Sequence, residues 1–282
     1  MHCFHTIKET REALNKARAE GKTIGFVPTM GNLHQGHLNL IDTARQNADY
    51  VVVSIFVNPI QFGPNEDFDA YPRTLELDSQ RLTEQGADLL FAPSGTEMYP
   101  FGQDDQIRVG TPAIADTLCG ANRRDHFGGV TTVVCKLFNI IQPDIAVFGE
   151  KDYQQLAIVR KMAIDLCMPV DIIPMATVRE SNGLALSSRN GNLRQSDVAI
   201  APLLHRTLTT YKNKIITGQR NYVELEKEAT QILEDGGFKV DYFSICDQRS
   251  LTSASAEQQN LVILVAAKLG TVRLIDNIAF SV

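Results

Sequence analysis

Two histidines three residues apart, His34 and His37, stand in the segment Pro28-Thr-Met-Gly-Asn-Leu-His-Gln-Gly-His37. The apolar run before this segment predicts a strand, and the residues after Gly36 predict a helix, so the pair falls on a strand-to-helix turn where open α/β folds bind ligands. At that spacing two side chains in a first helical turn lie on neighbouring positions of one face. Gly31 and Gly36 allow a tight turn and close approach of a ligand to the backbone. A helix N-terminus adds free N–H groups and partial positive charge suited to phosphate. Two imidazoles there could donate hydrogen bonds to charge developing on a phosphoryl group. The alternative is a pair of solvent-facing histidines near a helix start. Zinc requires a third ligand at matching spacing, and none is evident.

Four further segments carry groups of complementary chemistry. Phe148-Gly-Glu-Lys-Asp-Tyr-Gln-Gln155 repeats the strand, glycine turn and helix pattern, with Lys151 as a charge for phosphates and Gln155 four residues on. Leu184-Ala-Leu-Ser-Ser-Arg189 offers two hydroxyls and a guanidinium, donors suited to a triphosphate. Phe56-Val-Asn-Pro-Ile-Gln-Phe62 ends a predicted strand with Gln61, whose amide both donates and accepts, as a hydroxy-acid would require. Gly120-Ala-Asn-Arg-Arg-Asp-His126 gathers Arg123, Arg124 and His126 before a helix. Taken singly, each also reads as a polar surface turn.

The elements that must hold these residues alternate up to about residue 178. Strands are predicted over 24–28, 50–58, 88–93, 145–148 and 170–178, with helices over 36–48, 73–85, 130–141 and 153–166 between them. Residues 1–22 read as a charged surface helix. Such alternation implies right-handed crossovers and a parallel, Rossmann-like doubly wound sheet. Two helices (196–215 and 221–235) and then three strands (240–246, 261–267 and 272–280) follow, the order of a smaller C-terminal α+β domain. We divide the chain into residues 1–178 and 179–282, with a cleft between the two.

The 282 residues carry 27 basic and 33 acidic side chains, a net charge of −6. No global positive field therefore recruits nucleic acid, and a polyphosphate substrate would need basic groups gathered locally. Five scattered cysteines without a CxxC pair predict reduced thiols in a cytoplasmic compartment, with Cys135 and Cys167 buried in helices. No apolar run of 18 residues or leader-like h-region suggests membrane insertion or export.

The strand–HxGH–helix unit resembles the signature of the nucleotidylyltransferase superfamily. PTMGNLHQGH, SIFVNPIQF, YPRT, HFGGV, FGEKDYQQL, LALSSRN and RLIDN together, from residue 28 to about 277, resemble the pantothenate synthetase family. That resemblance implies a Rossmann-like domain, a C-terminal lid and a homodimer. It implies condensation of (R)-pantoate with β-alanine using ATP and Mg²⁺, through a pantoyl-adenylate, with release of AMP and pyrophosphate. It assigns ATP to Met30, Gly31, Asn32, Leu33, His34, Gln35, Gly36 and His37, to Gly149, Glu150, Lys151 and Asp152, and to Val178, Leu186, Ser187, Ser188 and Arg189. His37, His34 and Lys151 would be catalytic. Gln61, Gln155, Arg123 and His126 would meet the other substrates, Gln61 near both pantoate and β-alanine. Asp78 matches a position linked to Mg²⁺. Arg123-Arg124-Asp125 stands where the family often has Arg-Pro-Gly, which makes Arg123 the better match. A transferase that keeps its adenylated product and a non-catalytic nucleotide-binding module are the competing readings.

Overall fold

The computed structural model describes residues 1–64 and 66–282. Six parallel strands form the larger sheet: β1 (His2–Phe4), β2 (Ile24–Thr29), β3 (Tyr50–Ile55), β4 (Leu89–Phe91), β5 (Ile145–Gly149) and β6 (Asp171–Met175). Their spatial order is β1-β4-β3-β2-β5-β6, so the chain steps outward from β2 in one direction through β3 and β4, then in the other through β5 and β6. The reversal lies between β2 and β5, and open α/β folds bind ligands outside the strand ends at such a point.

Side-chain alternation along the strands explains why both faces are covered. Phe26, Val52, Leu89 and Phe148 face one core with α1 (Ile7–Ala19), α6 (His126–Ile141) and α7 (Tyr153–Asp165). Val27, Val51, Val53, Leu90 and Val147 face the other with α2 (Gln35–Asn47) and α3 (Leu75–Glu84). Two single-turn helices, α4 (Gly95–Met98) and α5 (Cys119–Asn122), sit in the connection between β4 and α6.

The expected elements are present with altered ends, except that the helix expected over 196–215 is broken into two, Gln195–Val198 and Leu203–Ile216, with Pro202 at the start of the second. β1 was not expected; three residues are too few to reveal a period, and the first helix begins only at Ile7. β3 stops at Ile55 rather than at residue 58, because Asn58 turns inward to hydrogen-bond with Gln61, Gly129 and Tyr99. Cys167 follows α7 with φ 52° and is exposed, not buried, and Cys135 is half-buried. All five cysteines are free thiols.

After β6 the chain builds a separate core. Short α8 (Gln195–Val198), then α9 (Leu203–Ile216) and α10 (Tyr222–Asp235), precede an antiparallel sheet of β7 (Phe238–Asp247), β8 (Asn260–Leu269) and β9 (Val272–Ser281). Leu208, Tyr211 and Leu233 pack on one face of that sheet. Val262 and Leu264 on the other face join a cluster with Tyr153 and Ala157 of α7. The smaller sheet thus leans on the helix that follows β5. Among the described residues, no helix is long and apolar enough to cross a membrane.

Candidate active site

The loop leaving β2 is shaped from below by a carboxylate. Gly31 has φ 83° and Asn32 φ 50°, two successive left-handed residues, of which the second is unfavourable for a side chain. This geometry turns the backbone N–H groups of Asn32 and Leu33 toward Asp78 of α3, whose two oxygens accept them at 2.8 Å each. Consecutive amides around one anion form a nest, and here the protein supplies the anion itself. Thr74 donates a further bond to Asp78 at 3.0 Å, and Arg81 donates to the carbonyl of Leu33. Asp78 is wholly buried. It braces the loop and does not line the pocket above it, so the expected Mg²⁺ ligand does not fit this placement. Among the described residues, no group of three or more His, Cys, Asp or Glu converges to hold a metal.

On this braced loop the two histidines cap α2. His34 is the N-cap residue: its Nδ1 accepts the N–H of Gly36 at 3.1 Å, while its own N–H donates to Nδ1 of His37 at 3.3 Å. The rings lie 4.1 Å apart, centre to centre. With both Nδ1 atoms accepting, the neutral rings carry their protons on Nε2. Burial, aided by Lys151, lowers the pKa of His34 to about 4. Burial, then the neighbouring His34 and Lys151, lowers that of His37 to about 3. At neutral pH the pair therefore offers two uncharged N–H donors at a helix N-terminus.

The histidines line an inner chamber of about 240 Å³ with Met30, Gln61, Lys151, Gln155, Val178, Leu186 and the Ser187-Ser188-Arg189 loop. Residues from β2, β5 and the connection after β6 thus converge at the switch point. Lys151 comes from the turn after β5; its amine is 3.9 Å from Asp152. The serine loop docks on the histidine loop, with Ser188 donating to the carbonyl of Asn32 at 3.2 Å. Arg189 is held by Asp67 through contacts of 3.0 and 3.2 Å. The adjacent glutamines divide their tasks. Buried Gln154 ties the carbonyls of Ile114 and Thr117 and the N–H of Cys119, whereas Gln155 faces the chamber.

Gln61 owes its position to a chain of buried groups. Tyr99 donates to Asn58 at 2.7 Å, and Asn58 donates to Oε1 of Gln61 at 2.9 Å. Nε2 of Gln61 meets only the sulfur of Met30, at 3.2 Å, among the described residues. From the other side, α6 presses Gly129 against this turn. A Cβ there would lie 2.4 Å from the Ile60 carbonyl oxygen and 2.6 Å from Cα of Gln61. His126, one turn earlier, donates from Nδ1 to the Gln61 carbonyl at 2.8 Å and accepts from Arg123 on Nε2 at 2.8 Å. Arg123 in turn grips Glu66 at 2.5 and 2.8 Å. Asp125 takes φ 61° at the place where the family pattern has glycine, a conformation that Asp tolerates better than most residues.

Arg123 and His126 line a second, outer chamber of about 750 Å³ that shares Lys151, Asp152, Gln155, Ser187 and Arg189 with the inner one. Its far wall comes from the smaller sheet and includes Asp241, Lys268 and Arg273. Cys119 crosses this wall to the Tyr242 hydroxyl at 3.0 Å. Of the other expected nucleotide residues, Gly36, Gly149 and Asp152 line the inner chamber, while Gln35 is exposed and Leu33 is buried in the core beneath α2. Gly31, Asn32 and Glu150 form its supporting turns. Sequence reading overlooked Asn58, Tyr99, Asp67 and the Asp276–Asn277 pair, although RLIDN had marked the last two as part of a pattern.

An HxGH cap, a serine-arginine loop and a lysine turn meeting at one switch point define an open α/β protein with a polar pocket outside its strand ends. The comparison with known proteins is more specific. The family profile described as pantoate-beta-alanine ligase matches residues 2–279. A pantothenate synthetase from Alcanivorax borkumensis is 55% identical over 282 residues, covering 100% of this chain and 99% of its own. One from Saccharophagus degradans is 53% identical, with 100% and 99% covered. The crystal structure of pantothenate synthetase from Thermus thermophilus superposes with a TM-score of 0.92 at 43% identity, covering 99% of both chains. The pantoate-beta-alanine ligase of Francisella tularensis, complexed with beta-gamma ATP and beta-alanine, gives 0.83 at 36% identity, covering 99% of this chain and 97% of that one. The chain belongs to the pantoate–β-alanine ligase family and is an enzyme of that family.

Proposed function

We propose that this enzyme joins (R)-pantoate to β-alanine at the expense of ATP, through an enzyme-bound pantoyl-adenylate. Family membership supports the ligation. The observation that carries the adenylate route is the His34–His37 pair, two neutral Nε2 donors at the start of α2, beside Lys151.

In the first step a pantoate carboxylate oxygen attacks the α-phosphorus of ATP and pyrophosphate departs. Two anions must meet, so positioning and electrostatic stabilisation dominate. The α2 N-terminus, the two imidazole N–H groups and the Lys151 ammonium face the phosphates. Ser187, Ser188 and Arg189 add donors from the opposite wall. The Arg189–Asp67 pair is about one-third exposed, and such pairs contribute at most about 1 kcal/mol. Exchanging Asp67 for a phosphate oxygen is therefore inexpensive. Gln61 and Gln155 bind pantoate. A thioether is a weak acceptor, so a pantoate oxygen readily replaces Met30 as the partner of the Gln61 amide. In the second step the β-alanine amine attacks the mixed anhydride and AMP leaves. The smaller domain, leaning over the outer chamber, acts as a lid that keeps water from the adenylate. Mg²⁺ enters as the ATP complex, carried by phosphate and water oxygens in its usual manner. We further read the enzyme as a homodimer, as the family resemblance implies.

The test is isotope exchange. With β-alanine absent, pantoate alone is expected to drive labelled pyrophosphate into ATP. An enzyme that makes pantothenate yet shows no such exchange, in an assay validated on a known adenylating enzyme, does not form the pantoyl-adenylate before β-alanine binds.

A further inference from the structure

We propose that Asn277 is a positioning residue for Lys151, and that it couples seating of the C-terminal domain to presentation of the catalytic ammonium. Asn277 lies on β9, outside the N-terminal sheet, and is buried. Its side-chain amide donates to two successive carbonyls of the turn after β5, Glu150 at 2.8 Å and Lys151 at 3.0 Å. One NH₂ group thereby holds two successive carbonyls of the short turn from which the lysine projects. The turn is not capped from within: its N-cap residue, Gly149, offers no side-chain capping bond.

Asn277 is itself held from behind. Its N–H donates to Asp276 at 2.8 Å, and the buried Asp276 carboxylate receives Arg179 in a two-bond fork of 2.7 and 2.9 Å. Arg179 also donates to the carbonyl of Gly183 at 3.1 Å and pairs as an isolated bridge with Ala185, directly before Leu186–Arg189. A fork between a guanidinium and a carboxylate fixes orientation as well as distance. One continuous set of bonds therefore runs from the serine-arginine loop through Arg179, Asp276 and Asn277 to the lysine turn. Both walls of the inner chamber share one anchor in the smaller domain.

The proposal rests on the role given to Lys151 above. A displacement of about 1 Å in a positioned group can cost on the order of 10²-fold in rate. The Asn277→Asp variant keeps the volume and replaces two donors by an oxygen facing two carbonyls. In the full-length enzyme it is expected to lower kcat for pantothenate formation roughly 10- to 100-fold, with KM for pantoate changed less than about threefold.

The decisive measurement is a double-mutant cycle with Lys151→Ala, read by single-turnover product formation. If Asn277 acts through Lys151, adding Asn277→Asp to the Lys151 variant lowers the rate by less than about twofold. A second full loss in that background would overturn the proposal and leave Asn277 a general scaffold residue. Wild-type rate in Asn277→Asp, with Lys151→Ala slow, overturns it also. A Lys151→Ala enzyme at wild-type rate instead removes the role of the lysine itself, and the proposal with it. Should the aspartate variant not fold, Asn277→Ala carries the same cycle. Failure of both to fold would mark Asn277 as purely structural.

Discussion

Two helices of this enzyme begin at histidines that hydrogen-bond to backbone groups, and they use the ring in opposite ways. At the start of α2, His34 and His37 receive backbone N–H groups on Nδ1, both rings line the inner chamber, and neither Nε2 has a hydrogen-bond partner among the described residues. At the start of α6, His126 donates from Nδ1 to the Gln61 carbonyl and accepts from Arg123 on Nε2, so both nitrogens are engaged within the protein. Burial depresses the pKa in both regions. A shifted pKa is thus common to all three histidines, and what separates them is whether Nε2 is already engaged within the protein.

The sharpest test of that contrast replaces each histidine. His37→Ala removes one preorganised donor and is expected to slow pantoate-dependent pyrophosphate exchange about 10²–10³-fold, with little change in the urea unfolding midpoint. His126→Ala leaves two polar partners unsatisfied and is expected to cost about 1–3 kcal/mol of stability, with a smaller rate loss. Equal effects on rate and stability from both variants would erase the distinction.

A second test stays inside α6. Gly129→Ala forces a methyl group into the Ile60–Gln61 backbone; overpacking of this kind costs about 1–3 kcal/mol, and pantoate KM should rise as Gln61 moves. Gly128→Ala, one residue earlier, meets nothing within 4 Å and should be neutral or stabilising by up to about 1 kcal/mol. If the two alanines behaved alike, close packing of α6 would not be what sets Gln61.

The mildest test is pH. His34 and His126 titrate at about 4 and His37 at about 3, all below the ordinary 6.5. The unfolded chain takes up protons on these rings below about pH 6.5, while the folded chain does not. Their stabilising contribution is therefore complete above pH 6.5 and is lost as pH falls toward 4 and 3. The unfolding midpoint should decline across that window, and kcat/KM should show no acid limb near 6.5. An activity limb at that pH would mean that a catalytic histidine works in its charged form.

Much of this was legible in the sequence. The β/α alternation up to residue 178 and the helix-helix-strand-strand-strand order after it describe the two sheets. The sequence put His34 and His37 together at the start of a helix, but their reciprocal cap, with His34 as the N-cap residue, is visible only in the structure. What the sequence hid are partnerships between distant residues. Tyr99 and Asn58 are 41 positions apart, Arg179 and Asp276 97, and Arg189 and Asp67 122. No local period reports such contacts. Asp78 was visible as an acidic residue in a helix, but only the left-handed turn at Gly31 and Asn32 explains what its charge serves.

The strand order carries a consequence for how the chain acquires its activity. β2 pairs with β5 through Gly25–Ile145 and Phe26–Ala146, and β1 with β4 from His2–Leu89 onward, each across a long stretch of chain. The smaller sheet, by contrast, is a meander in which β8 and β9 meet through Leu269 and Val272. Contacts between residues far apart in sequence form slowly, because a long loop must close before they are rewarded. On the ribosome, the histidine loop emerges more than a hundred residues before the strand that completes its crevice. The segment made after both is the one with the shortest loops to close, and it bears Asn277. The far wall of the outer chamber is thus completed only with β9, long after the loops bearing His34, His37 and Lys151 have been synthesised.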